Sequence, residues 1–286
     1  MSDVALDSSE ADPRQGRSRR IYRHTLVTRI THWINVVCMT ILLMSGLQIF
    51  NAHPALYWGQ QSIWDKPVLA MGAMETASGR TTGVTMILGH GFDTTGVFGL
   101  SREDGRMVER GFPAWATIPG PQWLAMGRLW HFFFAWIFVI NGAIYVILSL
   151  AGRHFWRDLL PTAADLKHIA RSVFEHLRFR FPQGEAARRY NVLQKLAYLI
   201  VAFGLGPLIV LTGLTMSPRI DAGFPFLLTL FGGRQSARTI HFLCAFSFLG
   251  FVLIHLFMVL VSGVWNNLRS MITGRYDLGE APDERH

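Results

Sequence analysis

The sequence predicts an all-α integral membrane protein, a four-helix transmembrane bundle with both termini in the cytoplasm. Three observations predict it: four long apolar stretches without Asp, Glu, Lys or Arg, a surplus of basic residues on one side of them, and histidines inside them at matched depths. The composition agrees. Of 286 residues, 50% are hydrophobic and 16% charged, where a soluble domain carries about a quarter charged. The mean hydropathy is +0.27. A disordered chain and an ordinary soluble globule are excluded. With 2 Cys, so are a disulfide scaffold and a multi-cysteine zinc or iron–sulfur site. The net charge of +8 sits beside apolar runs, which points to membrane lipid and away from nucleic acid.

Residues 1–20 are polar and aperiodic and read as a disordered cytoplasmic tail, 21–276 as the membrane domain, and 277–286 as a C-terminal tail. The spans are Ile30–Phe50, Leu129–Leu150, Leu196–Met216 and Ile240–Val264, each close to the roughly 20 residues a bilayer needs. Placing the N-terminus inside leaves 18 Lys and Arg on the inner segments and 9 on the outer ones, the positive-inside pattern. Arg19-Arg20 resembles a twin-arginine export signal, but the apolar run that follows is too long and has no small-residue cleavage site, so it reads as a retained anchor.

The outer loop 51–128 is rich in Gly, Pro and Trp, and its Val97–Leu100 and Met107–Val108 flank a turn at Asp104-Gly105, a hairpin pattern. Ala163–Phe179 has apolar residues at helical spacing and reads as an amphipathic helix on the inner leaflet. The third and fourth spans are separated by so short a loop that they should be antiparallel neighbours. No internal repeat is evident.

Ionisable groups inside a bilayer are costly and mark function. His32 lies near the inner end of the first span, His131 near the outer end of the second, and His241 and His255 near the outer and inner ends of the fourth. His241 and His255 are 14 residues apart, so they share nearly one helix face and are separated by about 21 Å of rise. Depth then pairs His131 with His241 and His32 with His255. Two imidazoles per level, with no Cys, Asp or Glu, suit a bis-histidine heme iron, whereas zinc would need three or four protein ligands. The four histidines are thus candidate axial ligands of two stacked hemes.

Arg29, Arg128 and Arg238 each precede one of these histidines by three residues, on the same face and one turn nearer water. That is where a heme would point its propionates, and a guanidinium suits a carboxylate. The alternative is a belt of basic residues marking span ends. Gly46 lies on nearly the face of His32 at the other heme's depth, and Gly142 nearly on the face of His131. Either they make room for a porphyrin or they serve close helix packing. Cys38 and Cys244 read as small buried side chains. His24, His53, His90, His154, His168, His176 and His286 fall outside the apolar cores and read as mostly surface residues, with His24 and Arg23 able to border a quinone pocket.

The stretches Arg29-Ile-Thr-His32-Trp33 and Arg128-Leu-Trp-His131-Phe-Phe-Phe-Ala-Trp136, with the His241 and His255 pair, resemble the bacterial cytochrome b561 and nickel–iron hydrogenase b-type cytochrome superfamily. The likeness is closest to its thiosulfate-reductase-like cytochrome b subunits. It covers about Ile21–Tyr276 and is weakest in the long outer loop. It implies two non-covalent b-type hemes held by the four histidines, in a multi-pass subunit of the bacterial inner membrane. It also implies electron transfer between the quinone pool and a periplasmic oxidoreductase subunit or cytochrome, often a molybdopterin enzyme. In that reading the chain is an electron-transfer subunit of an oxidoreductase complex rather than its catalytic subunit. No Cys-x-x-Cys-His occurs, so covalent c-type heme is excluded. Two alternatives stay open: a stand-alone quinol oxidase or transmembrane reductase, and a transporter using histidines as a proton or ion relay.

Overall fold

A computed structural model describes residues 20–152, 160–162, 169, 174, 178 and 192–277. The expected tails, save Arg20 and Asp277, and most of the amphipathic stretch Ala163–Phe179 lie outside the described residues.

The chain enters on a short strand, β1 (Arg20–Tyr22), and passes into α1 (Leu26–Phe50). Thr25 caps α1 by accepting the Thr28 N–H at 3.2 Å, satisfying one of the donors a helix start leaves orphaned. At the other end Asn51 accepts the Phe112 N–H at 2.7 Å and donates to the Phe112 carbonyl at 3.0 Å. One amide side chain thus anchors the far end of the following loop.

That loop is not irregular. Strands β2 (Ala55–Leu56), β3 (Leu69–Glu75), β4 (Thr81–Ile87) and β5 (His90–Asp93) form an antiparallel sheet in sequence order, with Leu69 opposite Ile87 and Ile87 opposite His90. A hairpin of β6 (Gly99–Glu103) and β7 (Arg106–Arg110) turns at Asp104 and Gly105, with φ of 47° and 80°. Two successive positive φ values give a turn whose twist matches its strands, at the expected Asp-Gly. The all-α expectation is therefore corrected: it holds for the spans, while this segment is β-rich. Outside the bilayer its backbone groups need partners, and strand pairing supplies them. Period-2 alternation is weak because glycines interrupt it. A Cβ on Gly83 would fall 2.5 Å from the Phe98 carbonyl oxygen, so β4 carries glycine where the chain leading into β6 crosses it.

A core of Leu47, Phe50, Leu56, Met71 and Phe112 joins this β layer to the helices, with Phe98, Phe242 and Phe246 packed against it. Arg110 is buried beside it. Its guanidinium donates to the Phe112 carbonyl at 2.7 Å, to Thr117 Oγ1 and the Gly120 carbonyl at 3.0 Å each, and pairs with Glu103.

Three further long helices follow: α2 (Leu124–Ala151), α3 (Val192–Thr215) and, after short helices α4 (Pro218–Gly223) and α5 (Phe226–Leu230), α6 (Arg234–Val261). With α1 they are, among the described residues, the four helices long and apolar enough to cross a membrane. Each begins four to six residues before the expected span, because helices continue through polar residues that a hydropathy reading stops at. The last ends at Val261 rather than Val264, where Gly263, at φ 102°, turns the chain into α7 (Val264–Thr273). In α3, residues Leu199–Leu205 are wound more widely, with i→i+5 bonding. Pro207 follows, and the wider turn spares the Phe203 carbonyl a clash with the proline ring.

The long helices turn apolar side chains outward: Phe133 and Ile254 are 61% and 66% exposed, as expected where the surrounding solvent is acyl chain. Strand β8 (Arg275–Asp277) pairs antiparallel with β1, Arg20 opposite Asp277, clasping entry and exit together. The bundle thus has a β end and a terminal end. Helix α1 packs on α2 and α3 on α6, and Phe50 meets Phe242 at 5.0 Å between ring centres, joining α1 to α6.

Candidate cofactor site

Helices α2 and α6 bring His131 and His241 together near the β end, with ring centres 6.2 Å apart and planes at 61°. Helices α1 and α6 bring His32 and His255 together toward the terminal end, at 6.3 Å and 63°. The two sites are nearly congruent. An imidazole nitrogen binds a first-row metal at about 2 Å and lies about 1 Å from its ring centre, so two rings on opposite sides of one iron stand about 6 Å apart. Among the described residues no group of three or more His, Cys, Asp or Glu gathers to bind a metal. Two nitrogens per site suit a cofactor that brings its own equatorial donors, and heme is one.

The β-end pair is held from behind. His131 Nδ1 lies 3.1 Å from Ser45 Oγ, and the Leu42 backbone makes a second hydrogen bond to this imidazole. A Cβ on Gly46 would lie 3.3 Å from His131 Cε1. On the opposite side, the His241 Nδ1–H donates to the Ile209 carbonyl at 2.9 Å, and Thr212 Oγ1 lies 3.2 Å from the same nitrogen. A Cβ on Gly213 would lie 3.3 Å from His241 Cε1. A carbonyl, a hydroxyl three residues on and a glycine after that thus recur on α1 and α3. The likeness is confined to these local seats and makes no internal repeat of the chain. The signal was present as Ser45-Gly46-Leu47 and Thr212-Gly213-Leu214, but only the folded contacts give three-residue matches a meaning.

Such partners fix which ring nitrogen carries the proton. The Ile209 carbonyl can only accept, so the proton is on Nδ1 and the lone pair is on Nε2, free for a metal. The other pair differs. His255 stacks on Phe251 at 5.9 Å and 20°, and His32 sets its edge against Trp33 at 5.5 Å. Nearby, Asn141 bridges α2 to α1 by donating to the Thr31 carbonyl at 2.9 Å and to Asn35 Oδ1 at 2.8 Å.

Of the glycines, Gly46 packs on an imidazole edge. Around Gly142 an added Cβ would meet nothing within 4 Å. The arginines are partly engaged elsewhere. Arg238 donates to the Ala55 and His53 carbonyls, with its guanidinium 5.5 Å from the Phe50 ring centre. Arg128 lies 5.5 Å over the Phe132 ring. Arg29 donates to the Ile272 carbonyl, while its Nε is buried without a partner, a state that an approaching carboxylate would relieve.

His53 is half buried rather than a plain surface residue. It stacks on Tyr57, meets Trp64 edge-on, and its Nε2 is buried without a partner. Burial and then the Arg238 charge lower its pKa. His24 sits in the terminal clasp, where burial, then Arg23, His32 and Arg29, lower its pKa to about 4. Cys38 and Cys244 are buried and unbridged.

Residues 23–274 match the model of prokaryotic cytochrome b561. The chain is 27% identical over 258 residues to a protein of Azospira oryzae provisionally described as protein-methionine-sulfoxide reductase subunit YedZ1, covering 90% of this chain and 99% of that one. Four membrane-length helices, paired histidines and a match across nearly the whole membrane domain lead to one conclusion: the chain belongs to the prokaryotic cytochrome b561 family.

Proposed function

We propose that this membrane cytochrome b is the di-heme electron-transfer subunit of an oxidoreductase complex. One b-type heme is held by His131 and His241, the other by His32 and His255. The hemes, when bound, supply two one-electron carriers on opposite halves of the bilayer, linking the quinone pool to a partner enzyme outside the membrane. The observation that carries this reading is the pair of congruent imidazole pairs, at 6.2 and 6.3 Å.

The chain's own residues bind, orient and insulate. The four histidines would hold the hemes through their ring nitrogens, Arg29, Arg128 and Arg238 would balance propionate charge, and the outward apolar faces keep water from the sites. The surplus of basic residues on the inner segments, 18 against 9, supports a cytoplasmic terminal end. There His24 and Arg23 border the quinone site. The β end then faces the periplasm and receives the partner, of molybdopterin type. Similarity to a methionine-sulfoxide reductase subunit favours a sulfoxide as final acceptor: two electrons and two protons convert it to the thioether and water, quinol being the donor.

Purified full-length protein settles the matter by its absorption spectrum before and after dithionite. The expected result is two b-type hemes per chain, both reducible by a quinol analogue, with electrons passed on to a co-purified soluble subunit. A colourless protein that moves protons overturns the reading in favour of a histidine relay. A coloured protein that turns over alone overturns the partner.

A further inference from the structure

The β-end imidazoles rest on two buried hydroxyls in addition to their backbone partners. Ser45 and Thr212 are both fully buried. Each hydroxyl spends its single hydrogen within its own helix, Ser45 on the Ile41 carbonyl at 2.6 Å and Thr212 on the Leu208 carbonyl at 2.8 Å. What each oxygen has left is a lone pair facing an Nδ1–H, that of His131 at 3.1 Å and that of His241 at 3.2 Å. Both seats also offer a backbone group, from Leu42 and Ile209. Among the described residues, the ring nitrogens of His32 and His255 have no hydrogen-bond partner. Those rings are held by aromatic contact with Trp33 and Phe251.

An acceptor at Nδ1–H pushes electron density into the ring and makes Nε2 a stronger donor. A stronger axial donor favours the more positive iron, and axial ligation and its hydrogen bonds are among the protein's levers on reduction potential. Resting on the di-heme reading, we propose that Ser45 and Thr212 are positioning residues that add a second acceptor to the Nδ1–H of each β-end ligand, beside the backbone group that sets its tautomer, and so lower the reduction potential of that heme alone. The matched seats on α1 and α3 then act on both ligands of one iron, and the two hemes of the bundle are poised differently by construction.

The test is a potentiometric titration of the full-length protein in detergent, followed optically and by low-spin electron paramagnetic resonance. The β-end heme is identified as the signal lost in His131→Ala. Ser45→Ala and Thr212→Val should each raise its reduced-to-oxidised ratio at fixed potential about fivefold, the ratio one ordinary hydrogen bond is worth. The double variant should shift it further, and the other heme should not move. Ser45→Thr and Thr212→Ser, which keep the hydroxyl, should titrate as the parent does. Thr40→Ala is the control, since among the described residues Thr40 bonds only its own helix, to the Val36 carbonyl. If an Ala or Val variant loses the heme, Ser45→Cys, a weaker acceptor of similar size, should give a smaller shift in the same sense. Unmoved potentials, equal movement of both hemes, or an equal effect from Thr40→Ala overturns the inference alone. A parent protein with one heme or none overturns the di-heme reading and the inference with it.

Discussion

The Nδ1–H of His241 donates to the carbonyl of Ile209 at 2.9 Å. Helix α3, whose apolar span contains no histidine, therefore contributes to the β-end site by aiming a neighbour's imidazole. The third helix is part of the site and not filler.

Ligand pairing predicts which cofactor each substitution removes. His131→Ala and His241→Ala should abolish one and the same heme signal, and His32→Ala and His255→Ala the other, leaving about half the absorbance in each case. Difference spectra of the purified variants check this; a variant that keeps both hemes sinks the pairing.

Gly46 and Gly213 leave no slack behind the β-end rings, since a Cβ at either would lie 3.3 Å from an imidazole carbon. Gly213→Ala should displace the ring by a few tenths of an ångström and broaden that heme's spectrum. Gly213→Val should cost about 1–3 kcal/mol of packing strain and deplete that heme selectively, read as its occupancy per chain. Gly142→Ala, with open space around it, should leave the β-end heme untouched.

Arg110 has no exposed side-chain surface, while its partner Glu103 is 17% exposed. Arg110→Ala removes four hydrogen bonds and strands Glu103. Breaking a buried pair costs about 3–5 kcal/mol, and partial solvation of Glu103 puts this case near the lower figure. Limited proteolysis should cut the β-rich segment in the variant at protease levels that leave the parent intact, with the heme spectrum retained at first.

His24 predicts an acid sensitivity. Its folded pKa, about 4, is below the unfolded value of 6.5, so between those values the unfolded chain binds more protons. Stability contributed by this group is full above pH 6.5 and falls as the pH drops toward 4. Thermal melts of the detergent-solubilised protein should show that loss, and His24→Gln should flatten it. An unchanged pH profile in the variant would place the acid sensitivity elsewhere.

Several features were legible because they depend only on local chemistry. Four charge-free apolar runs could satisfy their backbone in lipid only as helices, and the Asp104-Gly105 hairpin announced itself through its turn residues. The placing of the histidines toward one or the other end of their helices followed from a fixed rise per residue. The sheet of β2 to β5 was not legible, because glycines such as Gly83 break its alternation to admit a neighbouring backbone. The roles of Arg238, Ser45 and Gly213 were hidden for another reason: each acts on a residue of a different helix or of the loop.

The amino-acid order alone determined which helices are long and apolar enough to cross a membrane and how far along its helix each imidazole lies, since both follow from hydrophobicity and helical rise. The tertiary structure decided which faces meet, that His131 and His241 share a site seated by α1 and α3, and that Arg238 bonds loop carbonyls. Those outcomes depend on helix rotation and close packing between segments far apart in the chain, which no local pattern encodes.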